Sequence, residues 1–368
     1  MKNSKHIPWI KKCIQLAEKG SGLVSPNPLV GCVIVKAGRQ ISSGFHPYFG
    51  GPHAEAIALK KAGKRARGAT LYVSLEPCST TGKTSPCTEA IVNSGIKQVV
   101  FGLKDPNPAH FNKTTRILSK AKIKIVSGVL AEEVKKQNES FCVYHEKKRP
   151  FITLKMAQSI DGKITNAKNG RQTISSLPSR VLTHFFRKQA DAVLVGTQTV
   201  VADNPKLTTY LIKGDFVDNP YRIVLDRNLQ LKKNLNIFKS DALTAVLTSN
   251  KHSSKKVATY SNLRKVDVFQ VKEKNGVLDI KKVLDVLYEL GISSLLVEGG
   301  GEVAASFLKA KAVDKAYFFI SPVILGGRST TTSVEGDGFD LLKNKVTLKD
   351  LNYFDVGSDL LAEGYLQY

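Results

Sequence analysis

The segment His53-Ala54-Glu55, followed by Pro77-Cys78 and then by Pro86-Cys87, decides the reading of this chain. It offers one imidazole and two thiols, the donors that zinc prefers, with a carboxylate two residues after the imidazole. Three protein ligands leave a fourth position for water, and zinc brings the pKa of that water towards ~7. On the first turn of a helix, Glu55 would reach such a water and move its protons. The alternatives are a structural zinc site, which usually takes a fourth protein ligand, and two unrelated buried cysteines. No obvious fourth ligand stands nearby in the sequence.

Working outward, the pattern of apolar and turn residues gives alternating strands and helices. An amphipathic helix is expected near 8–19, ending at Gly20, and the loop Ser25-Pro26-Asn27-Pro28 leads into an apolar strand near 30–36. The His-Ala-Glu segment opens a helix near 53–63. A strand near 70–75 runs into Glu76-Pro77-Cys78, and Cys87 opens a helix that ends near Gly95. A strand near 98–102, a helix near 113–121 and a strand near 123–127 follow. This order predicts an α/β layered domain, with zinc donors at helix N-termini, where the dipole favours thiolate. The polar run Glu146-Lys147-Lys148-Arg149-Pro150 reads as a boundary, dividing the chain into domains over 1–147 and 151–368. The second domain begins with a strand at Phe151. Further strands are expected near 192–196, 221–226, 243–248, 293–297 and 315–320, and helices near 178–190, 279–290 and 302–310.

The bulk numbers fit two soluble domains. A chain of 368 residues is long for one core, and 42% hydrophobic with 23% charged residues is ordinary for a globular protein. No stretch approaches the ~20 apolar residues of a membrane span, and the polar, basic segment Met1 to Trp9 lacks a secretory signal. Five cysteines suit a reducing cytoplasm better than a disulfide framework; Cys13, Cys32 and Cys142 read as small buried hydrophobes. The net charge is +24, and residues 1–150 carry 25 Lys and Arg against nine Asp and Glu. Such a field attracts polyanions, RNA included, or a phosphorylated small molecule. The lysines are dispersed, however, as on solvated helix faces. With only one Trp and no RNA-binding motif, specific nucleic-acid binding is not expected.

His-x-Glu, then Pro-Cys, then a second Cys resembles the zinc-dependent nucleobase deaminases, in which the Glu is the general acid/base. Here eight residues separate Cys78 from Cys87, whereas editing and cytidine deaminases with Pro-Cys-x-x-Cys have two. The longer gap, Ser25-Pro26-Asn27-Pro28-x-Val30-Gly31 and Asp105-Pro106-Asn107-Pro108 together resemble the bifunctional deaminase–reductases of riboflavin biosynthesis. The resemblance covers essentially the whole chain. It implies a cytidine-deaminase-like α/β/α domain followed by a dihydrofolate-reductase-like α/β domain, Zn2+ and NADPH as cofactors, and a homo-oligomer, dimer or tetramer. The implied substrate is a diaminopyrimidinone carrying ribosylamino 5-phosphate. His53, Cys78 and Cys87 would be zinc ligands and Glu55 the proton shuttle as ammonia leaves C2. Asn27 and His46 match positions that line the base, and Lys83 is suited to the phosphate. Asn27 is also a plausible turn residue before Pro28, and His46 a plausible surface histidine. The family usually has His where Thr80 stands and often Arg where Lys83 stands.

In the second half, Lys155-Met156-Ala157-Gln158-Ser159-Ile160-Asp161-Gly162, Ala192 to Pro205, Arg222-Ile223-Val224-Leu225-Asp226, Leu296 to Gly301 and Ser321 to Gly327 carry the resemblance. Three glycines between a buried strand and a helix let backbone amides approach a phosphate at a helix N-terminus. The resemblance implies NADPH there, delivering hydride to C1 of the open ribose imine. It assigns Lys155 and Asp203 to catalysis, and Arg187, Leu207 and Glu298 to the substrate. It assigns Ala157, Thr173, Thr199, Asp203, Gly299, Gly300 and Gly301 to the cofactor. Two departures stand out: Arg171-Gln172-Thr173 replaces the usual Ser-x-Trp, and Tyr210 replaces an arginine that helps to hold the phosphate. A deaminase with an inactive reductase half, and an RNA-acting deaminase, are the competing readings.

Overall fold

The structure, a computed structural model, describes residues 4–80, 85–108, 112–165, 173–212, 219–239, 242–340, 342–343 and 345–368. Two compact units divide the chain, Met1–Lys148 and Arg149–Tyr368.

The first unit is a five-stranded sheet between helices. Its strands are β1 (Gly31–Lys36), β2 (Arg39–Phe45), β3 (Thr70–Leu75), β4 (Gln98–Leu103) and β5 (Lys124–Val126), and their spatial order is β2-β1-β3-β4-β5. β1 is antiparallel to β2 and β3, and β3, β4 and β5 are parallel. The helices are α1 (Ile7–Ala17), α2 (Ala54–Ala62), α3 (Cys87–Asn93), α4 (Lys113–Lys120), α5 (Ala131–Gln137) and α6 (Glu139–Lys147). Central strands are apolar at every position because both faces are covered. Cys32, Ile34, Leu71, Val73, Val99 and Phe101 pack with Ala54, Ala58 and Ile91. The alternate residues Val33, Val35, Tyr72 and Val100 pack with Ile10, Cys13 and Val134 on the other side. A Cβ on Gly31 would overlap the Cys13 carbonyl, so glycine is what lets α1 lie so close to β1. The sequence reading omits β2, α5 and α6. β2 is an edge strand whose Arg39, Gln40, Ser42 and Ser43 show no apolar alternation; buried Ser42 satisfies its hydroxyl on the Ala58 carbonyl at 2.8 Å.

The second unit contains β6 (Phe151–Ser159), β7 (Lys163–Thr165), β8 (Ala192–Gly196), β9 (Tyr221–Leu225), β10 (Thr244–Ser249), β11 (Val266–Val271), β12 (Glu273–Lys274), β13 (Val277–Leu278), β14 (Ser294–Val297), β15 (Lys315–Ser321), β16 (Thr331–Thr332), β17 (Thr347–Val356) and β18 (Asp359–Gln367). Its helices are α7 (Leu177–Gln189), α8 (Thr197–Asp203), α9 (Asn236–Lys239), α10 (Ser254–Ser261), α11 (Ile280–Glu289) and α12 (Gly301–Lys309). Among the described residues the main sheet runs β11-β10-β9-β8-β14-β6-β15-β18-β17, parallel except for β18 and β17. β12 pairs with β13 and β16 with β7. The sheet core alternates as in the first unit. Ala192, Leu194, Ile223 and Leu247 meet Val283, Leu287 and Phe307, while Val193, Val195, Val224 and Val246 meet Ile237 and Tyr260. At β6 and β15 the pattern changes on one face. Phe186 of α7 stacks on Tyr317 at 4.3 Å between centroids, and Lys155 Nζ lies 5.7 Å from the centre of the Phe319 ring. The sequence reading omits β11, β17 and β18 and the short helices α8 and α10. β17 is mostly exposed, and Lys349, Asp350, Asn352 and Asp355 break its alternation.

Candidate active sites

His53 immediately precedes α2 with extended backbone (φ −71°, ψ 156°), so its ring stands at the helix N-terminus. Cys87 is the first residue of α3, and Cys78 follows β3 through Pro77. His53 Nδ1 lies 3.2 Å from Cys87 Sγ and 3.5 Å from Cys78 Sγ, and the three donor atoms lie within 4.8 Å of one another. Zinc bonds of about 2.0–2.3 Å in tetrahedral geometry put ligand atoms roughly 3.5 Å apart, so these donors fit the ion. The Cys78 thiol is held down to about 4, first by its bond with Cys87, then by His53 and by the Cys87 backbone N–H at 3.3 Å. Cys87 is pushed up by that same bond and by burial. The two sulfurs share one proton, which a divalent cation would displace.

Glu55 lies on the buried stripe of α2 with Ala54, Ala58, Leu59 and Ala62. Burial, and then the Cys78 thiolate, push its carboxyl up to about 7, with His53 opposing. A carboxyl poised near neutrality both accepts and returns a proton. A Cβ on Gly44 would stand 2.5 Å from the Ala54 carbonyl, so this glycine admits the first turn of α2 against β2.

Asn27 and His46 join the same cluster. His46 Nδ1 lies 3.0 Å from the Pro52 carbonyl, which makes it the donor and leaves Nε2 to accept from Asn27 Nδ2 at 3.0 Å. Burial holds the His46 ring below its usual pKa, and it meets His53 edge-on at 5.4 Å. Two supports escaped the sequence reading. The Thr114 hydroxyl donates to the Pro77 carbonyl at 2.7 Å, and buried Glu76 accepts from Asp105 N at 3.2 Å. Glu76 thus anchors the Asp105-Pro106-Asn107-Pro108 loop to the Pro77-Cys78 turn; its adjacency to that turn was the available signal. A cavity of about 360 Å³ opens beside His53 and Cys87, with Ser85, Glu89 and Asn93 on its wall. Lys83 lies outside the described residues.

In the second unit, Glu298 at the end of β14 gathers the charges. Arg187 Nε donates to Glu298 Oε1 at 2.5 Å and Nη2 to Oε2 at 2.8 Å, while Nη1 donates to the Thr208 carbonyl at 3.1 Å. Lys155 Nζ, projecting from β6, lies 3.9 Å from Glu298 Oε2. Burial lowers the Lys155 pKa, with Glu298 opposing. Burial raises that of Glu298, but Arg187 overrides it and leaves the carboxyl below its usual range. His184, one turn before Arg187 on α7, was missed. Burial and the Arg187 charge hold its ring down to about 4, and it meets Tyr210 edge-on at 4.6 Å. The i, i+3 spacing to Arg187 on one helix face was the only signal.

The glycine turn forms a cradle. A Cβ on Gly299 would lie 2.6 Å from Val303 Cβ, and one on Gly301 2.5 Å from the Thr332 carbonyl. A Cβ on Gly300 would meet only Thr199 Oγ1, at 3.5 Å, leaving open space before the N-terminus of α12. That arrangement suits a dinucleotide pyrophosphate. Asp203 is half-buried at the end of α8, before left-handed Asn204 (φ 43°). Ala157 pairs in register with Phe319, and Thr173 is exposed. Leu207 is only 3% exposed and its side chain packs in the core with Val193, Val195 and Val224, so only its backbone remains for a ligand. Arg171 and Gln172 lie outside the described residues.

The two sites define a class of protein, a zinc-dependent pyrimidine deaminase joined to a reductase. Comparison with known proteins agrees. Residues 3–103 match the cytidine and deoxycytidylate deaminase zinc-binding region, and residues 150–362 match the RibD C-terminal domain. The chain is 38% identical to the riboflavin biosynthesis protein RibD of Aquifex aeolicus over 353 residues, 96% of each chain. It is 33% identical to the Escherichia coli protein of that name over 86% of this chain and 88% of the relative. Among solved structures, RibD of Acinetobacter baumannii superposes with a TM-score of 0.89 at 30% identity, covering 99% of each chain. A deaminase/reductase of Thermotoga maritima gives 0.85 at 39%, also covering 99% of each. The chain belongs to the RibD family of riboflavin biosynthesis proteins. No helix among the described residues is long and apolar enough to cross a membrane.

Proposed function

We propose that this chain catalyses two consecutive steps of riboflavin biosynthesis, one in each unit. The first is hydrolytic deamination of 2,5-diamino-6-ribosylamino-4(3H)-pyrimidinone 5′-phosphate. The second is NADPH-dependent reduction of its ribosyl group to ribityl. The observation that carries the reading is the convergence of His53, Cys78 and Cys87 donor atoms within 4.8 Å of one another, with buried Glu55 two residues from His53.

In deamination, His53, Cys78 and Cys87 hold zinc, which when bound makes water acidic enough to act as a nucleophile near neutral pH. Glu55 takes the proton of the attacking water and returns it to the departing amine, so that ammonia leaves C2. Asn27 and the neutral His46 hold the pyrimidine by hydrogen bonds, and Lys83 the phosphate. In reduction, the Gly299–Gly300–Gly301 cradle seats NADPH, with Ala157, Thr173 and Thr199 beside it. The open ribose imine needs one hydride at C1, which NADPH supplies, and one proton at nitrogen. Lys155 is placed to supply that proton. Asp203 and Glu298 orient the reacting end, and the Leu207 backbone contacts the substrate.

Five reduced cysteines support a cytoplasmic location. Leu177, Val181 and Phe185 form an exposed apolar stripe on α7, a surface suited to a second copy in a homo-oligomer. The deciding experiment supplies the phosphorylated diaminopyrimidinone and follows ammonia and NADPH oxidation separately. Absence of ammonia release would overturn the first assignment. Ammonia without NADPH consumption would overturn the second.

A further inference from the structure

We propose that Arg187 is a positioning residue: it aims the Glu298 carboxylate at Lys155 and does not clamp the substrate phosphate. The inference rests on the reductase reading above and concerns how that site is built.

A guanidinium clamps a phosphate when one of its two-nitrogen edges is free to face the anion. In Arg187 all three nitrogens are engaged within the protein. Nε and Nη2 grip both oxygens of Glu298 at 2.5 and 2.8 Å, and Nη1 holds the Thr208 carbonyl at 3.1 Å. The Arg187 and Glu298 side chains are 13% and 8% exposed. Turning Arg187 towards a phosphate would strip a buried carboxylate of its bidentate partner, and breaking a buried pair is strongly unfavourable.

The remaining groups facing Glu298 do not replace it. Lys155 from β6 makes one long contact of 3.9 Å, and His184 from α7 is held neutral. The third Arg187 bond has a second effect. Thr208 belongs to the segment after α8, which is pinned on either side by Arg222 Nη1 on the Lys206 carbonyl at 3.3 Å and by Asn219 Oδ1 on Thr209 N at 3.0 Å. Arg187 therefore ties α7, the end of β14 and this segment into one rigid unit around Lys155. An ammonium fixed in this way delivers its proton along one direction, whereas a loosened one does not.

The test uses the full-length chain with zinc and NADPH, the deaminated ribosyl phosphate, and the same compound without its phosphate. Positioning predicts that Arg187→Met lowers kcat of reduction about 10²-fold or more with both compounds. It also predicts that the wild-type preference for the phosphorylated compound, as a ratio of kcat/KM, is retained. The acid limb of the kcat profile should move to higher pH by about one unit, because Glu298 loses the cation that keeps it ionised. Arg187→Lys, which keeps the charge but not the fork, should lose kcat and keep the phosphate preference; it serves if the Met variant does not fold. A collapse of the phosphate preference in either variant, with kcat on the dephosphorylated compound unchanged, would overturn the proposal. Failure of the wild-type chain to oxidise NADPH with either compound would instead overturn the reductase reading itself.

Discussion

Asn27 and His46 meet side chain to side chain at 3.0 Å, bridging the loop before β1 and the loop after β2. Because His46 also binds the Pro52 carbonyl through Nδ1, its ring cannot turn, and the amide of Asn27 is held in one orientation beside His53. His46→Ala is therefore expected to lower kcat/KM for ammonia release about tenfold to a hundredfold, the cost of one or two hydrogen bonds near a charged centre. Its zinc content should remain that of the wild type. Steady-state ammonia assays with metal analysis check both halves of this statement.

Glu55→Gln keeps the shape of the α2 face and removes the proton carrier. Ammonia release should fall by ~10²–10⁴. Zinc should stay bound, since Glu55 is not among the converging donors. NADPH oxidation on the already deaminated compound should be unaffected. A variant that deaminates at the wild-type rate would remove Glu55 from the mechanism.

Metal removal should separate the two activities. Chelation is expected to abolish ammonia release and leave reduction of the deaminated compound intact, because the His53, Cys78 and Cys87 donors all belong to the first unit. Stripping the metal should also render Cys78 reactive towards thiol reagents, since its sulfur is held as a thiolate. Zinc added back should restore ammonia release and protect the thiol.

Gly300 and Gly299 should respond differently to alanine. A methyl on Gly300 meets only Thr199 Oγ1 at 3.5 Å, an ordinary contact, yet it enters the space offered to the cofactor. Gly300→Ala should raise KM for NADPH with little change in Tm. Gly299→Ala would press on Val303 at 2.6 Å and should lower Tm as well. Paired kinetic and thermal measurements distinguish the two.

Arg149 and Asp314 form a bidentate pair at 2.6 and 2.7 Å, and Asp314 Oδ2 also accepts from Ile152 N at 2.9 Å. Both side chains are mostly covered, at 17% and 11% exposure. Asp314→Ala leaves a part-buried guanidinium and a backbone N–H without that acceptor, so a loss of about 2–3 kcal/mol is expected. Denaturant unfolding monitored through NADPH-oxidation activity measures it.

Much of this was legible in the chain alone. His53, Glu55, Cys78 and Cys87 announce themselves because zinc needs particular donor atoms and because helix N-termini place them. The central strands announce themselves because β1, β3, β8 and β10, covered on both faces, must be apolar at nearly every position. Edge strands carry no such demand, which is why β2 and β17 gave no readable pattern.

Only the tertiary structure decided which side chains meet. Arg187 and Glu298 are separated by 111 positions, and nothing local tells a guanidinium whether its partner is a carboxylate of its own chain or a phosphate. The same holds for Leu207, whose left-handed backbone (φ 52°) sends an apolar side chain into the core. Residue type and spacing specify chemistry that depends on short-range geometry. Pairing across a sheet depends on strand order and side-chain direction, which exist only once the whole unit has folded.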